Sequence, residues 1–121
     1  MSLFQSRGYA FVTVSLPTIT RKPGPLPTMY DDAAHINSTV SKLADQGRDV
    51  VVVGHSYGGI PTTESLKGVV KKERLQAGKK GGVVRVGYVA GLVPEVGGAA
   101  SSVMADAPMD YTAVGEVCCL S

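Results

Sequence analysis

The spacing of apolar residues along this 121-residue chain changes period several times. Residues 9–14 (YAFVTV) are aromatic and β-branched, which predicts a strand. Residues 16–28 (LPTITRKPGPLPT) contain Pro17, Pro23, Pro25 and Pro27. Proline fixes φ and removes an amide donor, so this stretch reads as an extended loop. Beyond it, Ile36, Val40, Leu43 and Ala44 fall at helical spacing. Asp31 and Asp32 offer an N-cap and Gly47 a C-cap, which predicts an amphipathic helix over about residues 32–46. Polar alternation then stops. Residues 49–54 (DVVVVG) are a short valine run, as expected of a strand buried on both faces of a parallel sheet. Ile60, Leu66, Val69 and Val70 suit a second helix ending before Gly78, with Pro61 tolerated in its first turn and Gly68 weakening it. KKGG makes a turn, and residues 83–89 (VVRVGYV) form a third strand.

The order strand, helix, strand, helix, strand requires crossovers and so predicts an α/β fold with a parallel sheet. The length suits one domain, with its core over residues 7–94. Residues 95–121 are rich in small residues without clear periodicity and read as an irregular, cap-like tail, with at most one short helix near 99–105. There is no internal repeat.

Composition narrows the function classes. An apolar fraction of 44% and a charged fraction of 18% describe a globular chain. A net charge of +2 argues against nucleic acid as a partner. The one basic cluster (Lys71, Lys72, Arg74, Lys79 and Lys80 around Glu73) reads as the solvated end of a helix and its exit loop, an anion or membrane-surface site being the minority reading. No run of 18 apolar residues and no charged n-region with an apolar core occur, so neither a membrane span nor a secretory leader is expected. Cys118 and Cys119 are adjacent and have no other cysteine to pair with. They read as free thiols of a cytoplasmic protein, without metal-ligand spacing.

The chemistry concentrates at VVVVGHSYGG, residues 50–59. Gly54, Ser56 and Gly58 match G-x-S-x-G, the nucleophile elbow. With 15 glycines in the chain the bare pattern is weak, but its position between a valine strand and a helix is the context the motif requires. A sharp turn there lifts the serine Oγ out of the sheet edge. Glycines at 54 and 58 avoid collision with neighbouring backbone. The next helix aims its N-terminus at the site, and the N–H of Tyr57 is placed to be one oxyanion donor. His55 and Gly59 complete the turn. The competing reading is a glycine-rich phosphate loop, but neither G-x-x-x-x-G-K-[ST] nor G-x-G-x-x-G occurs, so no nucleotide, other cofactor or metal is expected.

The stretches GYAFVTVSLPT, DDAAHINSTVSKLADQGRDVVVVGHSYGG and GYVAGLVPEVG, about three quarters of the chain, resemble the α/β-hydrolase superfamily, specifically its small esterase-like members. The resemblance implies a partial α/β-hydrolase fold, a three-layer sandwich with parallel strands around the elbow. It also implies an acyl-serine mechanism on a small-molecule ester: Ser56 attacks the carbonyl, a histidine takes its proton, and an Asp or Glu orients that histidine.

Two departures from the family pattern follow. The strand that carries the family's second oxyanion donor has no counterpart before residue 9. In the family it lies between the strands at 9–14 and 50–53, which leaves an expected empty slot in the sheet. The family's histidine also follows the serine, whereas no histidine occurs after His55. His55 reads as a packing residue, His35 as a solvated or packed helix residue, and Asp106 and Asp110 as loop or cap residues. The ring of Tyr57 is expected to line the pocket or pack under the cap. A truncated copy of a carboxylic-ester hydrolase, with weak or absent turnover, is the leading expectation. The alternative is a non-catalytic binding or homodimerisation module whose open slot takes a partner strand.

Overall fold

The computed structural model describes residues 3–20, 23–93, 96–97 and 116–120. A short helix, α1 (Leu3–Ser6), precedes strand β1 (Phe11–Val14). Helix α2 (Met29–Asp45) begins earlier than the sequence pattern suggests. Its N-cap is Thr28, held in extended geometry after Pro27, and the Thr28 N–H donates to Asp31 Oδ2 at 2.7 Å. Asp31 is therefore the third residue of the helix, where it closes a capping box onto Thr28, and Asp32 lies further in, so neither is itself the N-cap as expected. At the other end Gly47 takes φ +78 and donates to the Ala44 carbonyl, as the sequence implied.

Strand β2 (Asp49–His55) contains the valine run, and β3 (Gly82–Val89) lies parallel to it, from Asp49 opposite Gly82 to His55 opposite Val89. The helix expected between them is two helices, α3 (Gly59–Ser65) and α4 (Lys71–Gln76). Gly68 adopts φ +77, which no continuous right-handed helix accepts, and Val70 leaves the helical path to bridge to Val83. The core unites Val14 and Leu16 with Ile36 and Val40 of α2, Val50 and Val52 of β2, Val69, and Val83 of β3. Ile36 and Val40 are fully buried, as their spacing required. Val51 and Val53, on the opposite face of β2, are only half-buried, and Val84 of β3 is exposed. Burial on both faces is thus corrected: among the described residues, α2 and α3 cover the Val50/Val52 side alone.

The last strand changes the expected sheet most. Strand β4 (Glu116–Leu120) lies between β1 and β2, antiparallel to both, giving the order β1-β4-β2-β3. Val117 pairs with Val14 on one side and Gly54 on the other. The expected slot is filled by this chain's own backbone, which removes the basis for a partner strand entering there. At residues 116–120 the tail is a strand, not irregular structure. Five residues suffice because antiparallel pairing on both sides satisfies its amides and carbonyls, and it needs no crossover to enter. The helix expected near 99–105, and Asp106 and Asp110, lie outside the described residues.

Candidate active site

Strand β2 delivers His55 to the carboxyl edge of the sheet, and the chain reverses there in a single 3-10 turn, Ser56–Gly58, before α3 begins. Ser56 takes φ +53. For a residue with a Cβ this left-handed conformation costs about 1–2 kcal/mol, and it persists only where the surroundings enforce it. The surroundings are tight. A Cβ at position 54 would lie 2.9 Å from both the Gly58 carbonyl oxygen and Thr62 Oγ1. At position 59 it would lie 2.6 Å from the Leu92 carbonyl oxygen. The Leu92 N–H also donates to the Ser56 carbonyl at 3.0 Å, so the loop after β3 holds the turn from above. Gly54 thus has the role the motif assigned to it. The second close approach is at Gly59, and the buried Gly58 supplies the carbonyl that Gly54 must clear.

Ser56 is 3% exposed, and no hydrogen bond to its Oγ occurs among the described residues. His55, next to it, is exposed and so does not pack as expected. His35 is also exposed, on α2, beside a cleft of about 490 Å³ lined by Ser15, Pro17, Thr20, Pro23, Pro25 and Pro27. Neither imidazole bonds Ser56 among the described residues.

Tyr57 does more than lend its backbone. Its ring packs against the hydrophobic core, and its hydroxyl donates to Asp32 Oδ2 at 3.0 Å. Asp32 is fully buried on α2. Thr18, from the proline-rich loop, donates to it twice, from N to Oδ1 at 2.9 Å and from Oγ1 to Oδ2 at 2.6 Å. Burial, then the hydrogen bond to Asp32 and its negative charge, push the Tyr57 phenol up to about 12, against a smaller opposing effect of Thr18. The sequence did carry a signal for Asp32. It stands four and eight residues before Ile36 and Val40, on the apolar stripe of its helix.

In the basic cluster Lys72, Lys79 and Lys80 are exposed, as expected, while Arg74 and Lys71 are paired. Arg74 is 5% exposed and gives its guanidinium to Asp45 at 2.8 Å and to the Lys80 and Gly81 carbonyls. That corrects its reading as solvated. Lys71 pairs with Asp49 at 2.8 Å. Among the described residues no three His, Cys, Asp or Glu side chains gather as a metal site, and no helix is long and apolar enough to cross a membrane.

Strained serine, strand-to-helix turn and parallel strand pair can be set against known proteins. The profile of the alpha/beta hydrolase family matches residues 1–115. The chain belongs to that family. Among curated proteins it is similar to probable hydrolase R7 of Phoma sp., at 42% identity over 91 residues, which is 74% of this chain and 34% of that protein. It is also similar to the alpha/beta hydrolase nvfD of Aspergillus novofumigatus, at 40% identity over 89 residues, again 74% of this chain and 34% of the relative. The chain therefore spans about a third of the length of these relatives. No solved structure matches it significantly.

Proposed function

We propose that this hydrolase-family chain carries serine carboxylic-ester chemistry through Ser56. The observation that supports it best is Ser56 at φ +53 in the turn between a parallel strand and a helix. In this reading Ser56 Oγ attacks the carbonyl of a small-molecule ester, the Tyr57 N–H binds the developing oxyanion, and the alcohol leaves to give an acyl-serine that water cleaves to the acid. Gly54, Gly58 and Gly59 shape the turn, with His55 at its exposed shoulder. Acyl transfer of this kind needs no metal or organic cofactor. We place the protein in the cytoplasm, with free thiols at Cys118 and Cys119. The Ser56 proton needs a base, and no hydrogen bond joins Ser56 to His35 or His55 among the described residues. Turnover by this chain is therefore expected to be weak or absent, since the loss of a triad base costs several orders of magnitude.

Fluorophosphonate labelling read by intact mass tests the assignment. The expected result is one adduct on the folded chain, lost in Ser56→Ala, with little steady-state ester hydrolysis. A folded chain that takes no label, or that takes it equally well after Ser56→Ala, would overturn the assignment.

A further inference from the structure

Asp32 is the most deeply buried ionisable group among the described residues, and the acyl-transfer reading gives it no part. Three neutral donors converge on it from two other segments: the amide and hydroxyl of Thr18 and the phenol of Tyr57. No Lys or Arg pairs with it among the described residues, so these hydrogen bonds are what stabilise a carboxylate at this depth. Hydrogen bonds to a charged acceptor are stronger and more directional than neutral ones. The Tyr57–Asp32 bond therefore fixes the far end of a rigid side chain whose near end is the residue directly after Ser56.

We infer that Asp32 is a positioning residue for the elbow. Through the Tyr57 hydroxyl it sets the orientation of the Ser56–Tyr57 peptide, and with it the N–H proposed to receive the oxyanion and the aim of Ser56 Oγ. The geometry supplies the lever. Tyr57 lies in a three-residue turn already strained at Ser56, where a small rotation of one peptide moves the donor away from the reacting oxygen. Misplacements of about 1 Å can slow a positioned reaction by about a hundredfold. Thr18 ties the same carboxylate to the loop after β1, so three parts of the fold (loop, helix and elbow) are locked at one carboxylate. The Tyr57 phenol keeps its proton until about pH 12, so it remains a donor to Asp32 under any ordinary condition.

This inference rests on the reading of Ser56 as the nucleophile, and the experiment separates the two. Fluorophosphonate labelling of Ser56 would be followed at varied probe concentration in the full chain, in Tyr57→Phe, in Asp32→Asn and in the double variant. Tyr57→Phe removes one hydroxyl and leaves both Thr18 donors on Asp32, so it keeps the test sound if Asp32→Asn fails to fold. The expected result is a limiting labelling rate reduced about tenfold or more in each single variant, with the probe concentration at half-saturation little changed. The double variant should be no slower than the slower single one, because both break one bond. A merely structural role would lower the melting temperature without moving the limiting rate. Wild-type rates in folded Tyr57→Phe would overturn the inference and leave Ser56 as the nucleophile. Absence of label on the folded wild-type chain would overturn the nucleophile reading, and the inference with it.

Discussion

At the amino ends of β2 and β3 the left-handed positions are glycines: Gly47, Gly78, Gly81 and Gly82 take φ of +78, +76, +68 and +138. At the carboxyl ends of the same two strands the left-handed residues carry side chains, Ser56 at φ +53 and Ala90 at φ +45. The amino edge is also fully partnered, its buried Arg74 held by Asp45 and two carbonyls. The carboxyl edge keeps an unpartnered buried hydroxyl, Thr62 Oγ1, packed against Gly54. One edge is relaxed wherever glycine allows it, and the other retains strain around a serine. On the proposed reading of Ser56 as nucleophile, strain that a simple substitution could relieve persists at this edge because function outweighs stability there.

The largest effect should come from damaging the relaxed edge. At position 81 a Cβ would lie 2.5 Å from the Ala44 carbonyl oxygen and 2.6 Å from that of Arg48, both immobile backbone. Gly81→Ala should therefore cost about 3 kcal/mol in urea unfolding, from left-handed strain and collision together, while the folded fraction labels at Ser56 as before. Relieving the strained edge should have the opposite sign. Thr62 is fully buried, so Thr62→Val removes an unsatisfied hydroxyl and fills the same space. A gain of about 1 kcal/mol is expected, and a loss would mean the hydroxyl has a partner that matters.

Alkaline titration gives the smallest effect and bears on the link between edge and core. The folded Tyr57 phenol releases its proton at about 12, against 10.0 when unperturbed. Between those values the folded state binds more protons than the unfolded one. The contribution is complete below pH 10 and is lost as the pH rises toward 12. With screening of a partly exposed group it should be under about 1 kcal/mol. The loss of stability between those pH values should be smaller in Tyr57→Phe than in wild type, and equal losses would show that the phenol is not coupled to folding.

Much of the parallel core was legible. The stripe Ile36–Val40–Ala44 announces itself by its local period, because burial on one side imposes that period on the helix, and the valine run of β2 and the 83–89 strand announce themselves by β-branched composition. The elbow was legible for a related reason: its glycines and serine stand together in sequence. What escaped was held by partners distant along the chain. EVCCL has no period of its own, and its strand exists through pairing with β1 and β2. The break at Gly68 followed from Val70 reaching Val83, a contact no local window contains. Asp32 reads as a cap in sequence because an aspartate at a helix start usually is one. Only its alignment with Ile36 and Val40 hinted that it points inward.

The central claim is that Ser56 is kept in a strained conformation for the sake of its side chain. Comparing Ser56→Gly with Ser56→Ala by urea unfolding tests this most directly, since neither keeps the hydroxyl and only alanine keeps the Cβ. The glycine variant is expected to be the more stable by about 1 kcal/mol, because it adopts φ +53 without strain. The usual order, with glycine less stable than alanine by about 0.5–1 kcal/mol, would contradict the claim and show that the turn holds no strain at Ser56.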